Sequence, residues 1–315
     1  MGRVVVLGAS LMDMNMRLER LPVPGETRLG RSFFTMPGGK GANQAVAARR
    51  AGADVAFVTA IGGDANGRAI RDNLFGEGID LRHASVIEGE SSGVALILVG
   101  DDGENLIGVA MGANARVDAS LIDGLPEEIF RGPGVFLASL EVPLPAVARA
   151  VERARAGGLI VILNPAPAVS GLVESGLLPQ VDILTPNRGE AEALTSLTNA
   201  TRVEASHLAE SIRTGRGPGA VVMTLGSAGC LIAEDSGTLA IPAYPVEAVD
   251  TVGAGDAFTA NLAAALADGR SLAEAARRAN AAAAQAATRP GAQGALPTRE
   301  AVDRLMAQHG NVGPT

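Results

Sequence analysis

The chain has 315 residues, of which 47% are hydrophobic, and its 26 basic and 34 acidic side chains give a net charge of −8. This charge offers no basic surface for nucleic acid or an anionic membrane, and an aromatic content of 3% without tryptophan argues against a stacking platform for single-stranded nucleic acid. The one cysteine, Cys230, excludes an intrachain disulfide, and because it lies in an apolar run we interpret it as a small residue of a buried strand.

The N-terminal residues begin a strand-like run without the pattern of a signal peptide. No window supplies the roughly 18 uninterrupted apolar residues of a transmembrane helix. We therefore expect a cytoplasmic protein that binds neither a membrane nor nucleic acid.

Short apolar runs rich in β-branched residues alternate with amphipathic helical stretches along the chain. The runs cover residues 3–8, 55–59, 135–138, 159–163, 182–185 and 220–224. Continuous rather than alternating hydrophobicity is typical of strands buried on both faces, and stretches such as 145–156 and 202–214 are long enough to be crossover helices. The pattern predicts an α/β fold with a doubly wound, mostly parallel sheet flanked by helices, and a ligand at the carboxyl ends of the strands.

Two stretches, 14–34 and 82–108, interrupt this alternation. They contain strand-like runs with turn signals, such as 93–99 followed by Asp101-Asp102-Gly103, but no good helix. Strands without crossover helices belong to a separate small sheet. We therefore expect one α/β domain over 1–309 with a small sheet inserted in it, and an unconstrained tail over 310–315.

Two glycine-rich segments lead directly into helical stretches. They read Pro-Gly-Gly-Lys-Gly-Ala-Asn-Gln at 37–44 and Asp-Thr-Val-Gly-Ala-Gly-Asp-Ala-Phe at 250–258. The first turn of a helix presents unpaired N–H groups to an anion, so a carboxylate there, Asp256, is a poor phosphate ligand. We interpret Asp256 as the acceptor of a proton from a hydroxyl that attacks a phosphoryl group held by those amides. The alternative is that Asp256 caps the helix and that Gly253 and Gly255 form a tight turn.

These segments, in this order, resemble the PfkB family of carbohydrate kinases over nearly the whole chain. Further matches include Pro24-Gly25-Glu26-Thr27, Gly103-Glu104-Asn105, Asn164-Pro165-Ala166-Pro167-Ala168 and Thr185-Pro186-Asn187. The resemblance implies a ribokinase-like fold whose small sheet is a lid over the sugar and the contact of a homodimer. It also implies transfer of the γ-phosphoryl group of ATP to the 5-hydroxyl of a pentose, first of all D-ribose.

The resemblance also implies roles for individual residues. Asp256 resembles the catalytic base, and Gly253, Ala254 and Gly255 resemble the anion hole. The sugar would be bound by Leu11, Asp13, Gly39, Lys40, Gly41, Ala42, Asn43, Glu141 and Asp256. From the residues alone, Asn43 reads as a helix cap and Glu141 as a surface charge after a strand.

The nucleotide and its cations are assigned in the same way. ATP would be bound by Asn187, Glu190, Thr224, Leu225, Gly226, Ser227, Gly229, Gly255 and Asn280. Asn187 and Glu190 resemble an Asn-x-x-Glu motif that organises Mg²⁺ and the phosphates. K⁺, or another monovalent cation, would be held by Asp250, Val252, Ala286, Arg289 and Gly291, mostly through backbone oxygens. Ala295 stands where a serine is usual, so one cation ligand differs.

Leu11 departs from the pattern of the ribose-phosphorylating members of the family. They carry an asparagine there that contributes to ribose binding, whereas deoxyribose-phosphorylating members carry an apolar residue. A sugar hydroxyl left unpaired costs about 1–3 kcal/mol, so the sequence leaves 2-deoxyribose as an alternative substrate. A nucleoside is the next alternative, with Leu11, Met12 and Met14 against the base, unless these side chains simply pack in a strand.

Other protein classes are less well supported. The chain has no Gly-x-x-x-x-Gly-Lys-Ser/Thr segment, which excludes a P-loop NTPase. Its first strand leads to Gly8-Ala9-Ser10 rather than Gly-x-Gly-x-x-Gly, so a Rossmann oxidoreductase is unsupported. A catalytically silent sugar-binding protein on the same fold stays an alternative, although we would expect such a protein to have lost Asp256 or a glycine of the anion hole.

Overall fold

In a computed structural model, which describes residues 1–195 and 204–309, strands and helices alternate along most of the chain. The strands are β1 (Arg3–Leu7), β2 (Leu11–Arg17), β3 (Ser32–Gly38), β4 (Asp54–Gly62), β5 (Ala84–Ile87), β6 (Gly93–Val99), β7 (Asn105–Ala110), β8 (Val135–Ser139), β9 (Ile160–Asn164), β10 (Ile183–Leu184), β11 (Ala220–Thr224), β12 (Cys230–Glu234) and β13 (Gly237–Ile241). The α-helices are α1 (Lys40–Arg50), α2 (Ala65–Gly76), α3 (Ala119–Asp123), α4 (Leu144–Ala156), α5 (Arg188–Thr195), α6 (Ala205–Arg216), α7 (Ala254–Ala267), α8 (Leu272–Ala287) and α9 (Arg299–His309).

The described residues form a large sheet of nine strands in the order β13-β12-β11-β10-β9-β8-β1-β4-β5. All neighbouring pairs from β11 to β5 are parallel, and only β12 pairs antiparallel, with β11 and with β13. Each apolar run that predicted a strand forms one in this sheet. The predicted doubly wound, mostly parallel architecture is therefore confirmed.

Alternate residues of the central strands feed two hydrophobic cores on opposite faces of the sheet. In β1, Val5 packs with the cluster that includes Val147 of α4, whereas Val4 packs with the cluster that includes Val46 of α1 and Phe258 of α7. Successive side chains of a strand point to opposite faces, so a strand covered by helices on both sides must be apolar throughout. Cys230 is buried in β12, as the sequence predicted.

A second sheet has the strand order β3-β2-β6-β7. Strand β2 pairs in parallel with β6, and the other two pairs are antiparallel. This sheet begins at Leu11, ahead of the predicted segment 14–34. In the second predicted segment, 82–108, strand β5 instead pairs with β4 in the large sheet, because α2 between them is a crossover that returns the chain parallel to β4.

Two predicted features lie wholly or partly outside the described residues. The first is the predicted tail, 310–315. The second is the predicted helix 202–214, whose first two residues are not described and which the structure has as α6, beginning at Ala205. Among the described helices, none combines the length and the apolar character needed to cross a membrane.

Candidate active site

The two glycine-rich segments meet at the carboxyl ends of the parallel strands, where α1 packs against α7. Gly39 precedes α1 with a φ of 89°, and Gly253 precedes α7 with a φ of 79°, a left-handed conformation that glycine adopts readily. A Cβ on Gly41 would lie 2.5 Å from the carbonyl carbon of Gly8, so α1 starts in direct contact with the turn after β1. Ala42 fixes this approach through its N–H, which donates to the Ala9 carbonyl at 3.0 Å.

Asp256 lies in the first turn of α7 and is only 7% exposed. Its Oδ2 accepts a hydrogen bond from Asn43 Nδ2, and its Oδ1 accepts one from Gln44 Nε2, both at 3.0 Å. The side chain of Asp256 therefore does not cap its own helix but is bound by two amides of α1. Asn43 likewise uses its side chain for this contact rather than for capping α1.

Carboxylates cluster around Asp256. Burial and, to a smaller extent, the charge of Asp256 raise the pKa of Asp13 to about 6. Burial likewise raises the pKa of Glu141 to about 7 and raises the pKa of Asp256. The Lys40 charge and the amides of Asn43 and Gln44 oppose the rise in the pKa of Asp256. The site thus gathers poorly solvated acids around one ammonium group.

Glu141 is not a surface charge. Its Oε2 accepts the backbone N–H of Lys40 at 2.7 Å, at the start of α1, where Gly39 has no side chain with which to cap the helix. A carboxylate at a helix N-terminus satisfies an unpaired donor and is favoured by the helix dipole. Glu141 therefore holds the glycine-rich turn of α1 in place.

Leu11 begins β2 in the core, with an exposure of only 2%. A Cβ on Gly93 would lie 2.4 Å from Leu11 Cδ2, so the leucine fills the space above that glycine. Met12 is also buried, and Met14 packs against the same core as Met12. These contacts fit the strand-packing interpretation of the three side chains.

A polar cleft of about 220 Å³ opens beside Asp256. Lys40, Asn187, Glu190 and Thr224 line it together with Gly253 and Gly255. Ala254 differs from these two glycines, because its N–H donates to the Thr251 carbonyl at 3.2 Å within the turn. Of the three predicted anion-hole residues, only Gly253 and Gly255 border this cleft.

Asn187 and Glu190 bind each other across the first turn of α5. The Asn187 N–H donates to Glu190 Oε2 at 2.8 Å, and the Glu190 N–H donates to Asn187 Oδ1 at 2.9 Å. This reciprocal pair has the geometry of a capping box. Burial raises the pKa of Glu190, although the bond from Asn187 acts in the opposite direction.

A larger and more apolar cavity of about 410 Å³ adjoins the polar cleft, and Thr224, Thr251 and Gly255 line both. Tyr244, Val246, Phe258, Ala283 and Ala287 form much of its wall, and Gly226, Ser227 and Gly229 border it. Asn280 also lines this cavity, but its Nδ2 donates to the carbonyls of Ile241 and Pro242 at 3.0 and 3.2 Å. Leu225 closes the turn after β11, because its N–H donates to the Gly229 carbonyl at 2.8 Å.

Asp250 connects the two segments predicted to hold a monovalent cation. Its Oδ1 accepts the Val252 N–H at 3.0 Å, and its Oδ2 accepts the Gly291 N–H at 2.8 Å. The Ala286 carbonyl accepts the Arg289 N–H at 3.3 Å, and Ala295 is buried nearby in the chain. In the part of the chain that the structure describes, no group of three or more His, Cys, Asp or Glu could hold a metal.

Two site residues were not singled out from the sequence. Gln44 contacts Asp256 directly, and Asn164 binds Gln44 and lines the polar cleft. Their position carried a signal, since Gln44 follows Asn43 in the glycine-rich segment and Asn164 is a polar residue at the carboxyl end of a buried strand.

A doubly wound sheet with a small accessory sheet, and a polar cleft that joins buried acids to an apolar cavity, define a ligand-binding α/β protein of the kinase type. The profile of the pfkB family carbohydrate kinases matches residues 1–299. A ribokinase from Haemophilus influenzae is 38% identical over 297 residues, which cover 94% of this chain and 96% of that protein. The chain therefore belongs to the pfkB family of carbohydrate kinases.

Solved structures agree with this assignment. The ribokinase of Thermotoga maritima superposes with a TM-score of 0.89 at 31% identity, covering 98% of this chain and all of that chain (100%). The ribokinase of Arabidopsis thaliana complexed with ribose and ATP superposes with a TM-score of 0.85 at 31% identity, covering 97% of this chain and 98% of that one. The ribokinase-like fold predicted from the sequence is confirmed.

Proposed function

We propose that this protein is an ATP-dependent sugar kinase that transfers the γ-phosphoryl group of ATP to the 5-hydroxyl of D-ribose. One observation carries the proposal: a buried carboxylate, Asp256, borders a polar cleft that adjoins an apolar cavity of about 410 Å³, which has room for a nucleotide base. The similarity to ribokinases, one of them complexed with ribose and ATP, supports ribose and ATP as the pair of substrates.

Asp256 is the proton acceptor in this proposal. As the bond forms between the sugar oxygen and the γ-phosphorus, the bond from that phosphorus to the bridging oxygen of the β-phosphate breaks and ADP leaves, while the hydroxyl proton passes to the carboxylate. A buried carboxylate with a raised pKa is a stronger base than a solvated one. The amides at Gly253 and Gly255, together with the Lys40 ammonium, border the cleft where negative charge would develop on the phosphoryl group.

The sugar would be bound by Asp13, Asn43 and Glu141 beside that carboxylate. Within the described residues, Asn43 Oδ1 is buried without a hydrogen-bond partner, so it is ready to accept from a sugar hydroxyl. Asp13 lies opposite Met36 and Ala95 on the two neighbouring strands of the small sheet, so the sugar would meet one polar and two apolar side chains on the same face. Gly39, Lys40, Gly41 and Ala42 would contribute backbone around this pocket.

ATP would lie with its base in the apolar cavity beside Asn280 and its phosphates at Thr224, Gly226 and Gly255. Both predicted cations have oxygen donors near this path. Mg²⁺ prefers carboxylate and phosphate oxygens, and Glu190 places a carboxylate at the cleft. K⁺ would be held by the segments at Asp250 and Gly291, which the Asp250 carboxylate joins, mostly through backbone oxygens. When bound, these cations would neutralise part of the charge on the phosphates.

A second substrate, 2-deoxy-D-ribose, is favoured by Leu11. An apolar and buried side chain at this position offers no partner to a sugar hydroxyl, so the sugar with fewer hydroxyls would lose less on binding. The protein would then phosphorylate both pentoses, with less discrimination than a site with an asparagine.

The small sheet would act as a lid and as the contact of a homodimer. Phe33 and Leu106 flank Met16 and Leu98 in one row across the sheet, and they are 59% and 56% exposed. Exposed apolar side chains in one row suit an interface with a second copy. Cytoplasmic residence stays a prediction from the sequence.

A coupled measurement of ADP formation with single pentoses tests the proposal, and ³¹P NMR of the product identifies the esterified oxygen. We expect D-ribose to stimulate ADP formation and the product phosphorus to couple to the two C5 protons. ADP formation that neither D-ribose nor 2-deoxy-D-ribose stimulates would contradict the proposal and favour a silent sugar-binding protein.

A further inference from the structure

A chain of buried amides leads from the end of β9 to the carboxylate of Asp256. Gln44 has no exposed surface (0%), and its Nε2 lies 3.0 Å from Asp256 Oδ1 and 3.0 Å from Asn164 Oδ1. Asn164 in turn donates from Nδ2 to the backbone carbonyl of Thr185 at 2.9 Å. Three elements of the fold, β9, the turn after β10 and α1, thus support one catalytic candidate on a fourth, α7.

The direction of every hydrogen bond in this chain is fixed by its far end. The Thr185 carbonyl can only accept, so Asn164 must turn its nitrogen to it and its oxygen to Gln44. Gln44 must then present its nitrogen, and the two hydrogens of that nitrogen go to Asn164 Oδ1 and Asp256 Oδ1. A flipped Gln44 amide would set its oxygen against two other oxygens, so Gln44 is held as a donor to Asp256.

Two donors on opposite oxygens orient the carboxylate of Asp256. Asn43 binds Oδ2 and Gln44 binds Oδ1, so the plane of the group is fixed against α1. The charged neighbours of Asp256 are mixed: the Lys40 charge opposes the rise in the pKa of Asp256, whereas the charge of Asp256 raises the pKa of the acids Asp13, Glu141 and Glu190. In the proposed function Asn43 would also contact the sugar through Oδ1, which is buried without a partner among the described residues, whereas Gln44 binds Asn164 and Asp256 and lines neither the polar cleft nor the apolar cavity.

We infer that Gln44, held by Asn164, is a positioning residue that orients the Asp256 carboxylate and keeps it ionised until the sugar hydroxyl releases its proton. The inference rests on the proposed function. A donor to the charged form of a buried acid stabilises that form and opposes the effect of burial. Gln44 therefore acts through Asp256, because both hydrogens of its Nε2 are used by Asn164 and Asp256.

Gln44→Met tests this role, because methionine is similar in length but donates no hydrogen bond. We expect kcat to fall by about 30-fold while KM for D-ribose stays within about threefold, since the lost contact acts on the chemical step. The acid limb of the kcat pH profile should move to higher pH by about one unit, because Asp256 loses a donor that favours its charged form. Asn164→Ala frees the Gln44 amide and should move the limb in the same direction by a smaller amount.

The matched control is Asn261→Leu. Asn261 is a buried amide on the same helix as Asp256, but its Nδ2 donates to the Ala257 carbonyl at 3.0 Å. We expect this variant to lower Tm and to leave the kcat pH profile unchanged.

The outcomes separate the inference from the proposed function. An inactive wild-type enzyme, or an Asp256→Asn variant with normal kcat, would overturn both. Suppose that the wild type is active and Asp256→Asn is inactive. A normal kcat and an unmoved acid limb in Gln44→Met would then overturn the positioning role alone. If Gln44→Met fails to fold, an unmoved acid limb in Asn164→Ala overturns it.

Discussion

Glu141→Gln should change how the stability of the ligand-free protein depends on pH. Burial raises the pKa of Glu141 from its ordinary 4.5 to about 7, against the opposing effects of the Lys40 N–H and charge. Because the pKa in the folded protein lies above the unfolded value, the contribution of this group is complete below pH 4.5 and is lost as pH rises through about 7. At 1.36 kcal/mol per pH unit, the difference between 4.5 and about 7 amounts to at most about 3 kcal/mol.

The measurement is the free energy of unfolding from urea titrations at pH 5 and pH 8, without ligand. Between these pH values the wild type should lose up to about 3 kcal/mol relative to Glu141→Gln, because the glutamine has no proton to release. Asp13, whose pKa is raised to about 6, is present in both proteins and largely cancels in the difference. The exposed Glu174→Gln is the control and should follow the wild type. A stability difference between wild type and Glu141→Gln that is the same at both pH values would refute the argument.

Three further predictions follow from individual contacts. Leu11→Asn should raise the preference for D-ribose over 2-deoxy-D-ribose in kcat/KM by about tenfold or more, the equivalent of one hydroxyl partner; an unchanged ratio would contradict the assignment of Leu11. Asp250→Ala should raise the K⁺ concentration for half-maximal activity, because it removes the carboxylate that joins the Val252 and Gly291 amides. The control Asp235→Ala, at an exposed position, should leave that concentration unchanged. Equal behaviour of the two variants would count against a cation site at Asp250. Lys40→Met should lower kcat by about 100-fold or more through loss of charge at the phosphoryl group, and a rate near that of the wild type would remove Lys40 from the mechanism.

The sequence was sufficient to predict seven of the nine strands that the described residues form in the large sheet, all except β5 and β13, and the start of both glycine-rich helices. Continuous apolar runs such as 135–138 identify strands covered on two faces, since only burial on both sides requires apolar residues at every position. The glycines before α1 and α7 were equally informative, because their positive φ values leave few alternatives to glycine. The strand 84–87 was misplaced in the small sheet, because a short run does not reveal which neighbour it pairs with.

Much of the candidate site depends on contacts between distant parts of the chain. Gln44 and Asp256 are 212 positions apart, so no local pattern shows that their side chains meet. For the same reason the sequence did not reveal that Glu141 binds the first amide of α1. The reciprocal bonds between Asn187 and Glu190, by contrast, follow from their spacing at the start of a helix.

The role of Asp256 as proton acceptor is tested most directly by a single-turnover measurement on Asp256→Asn with D-ribose and labelled ATP, in a rapid-quench apparatus. With both substrates bound, we expect phosphoryl transfer to slow by about 1,000-fold or more, while calorimetric binding of D-ribose changes little. A transfer rate within about tenfold of the wild type would contradict a proton-accepting role for this carboxylate.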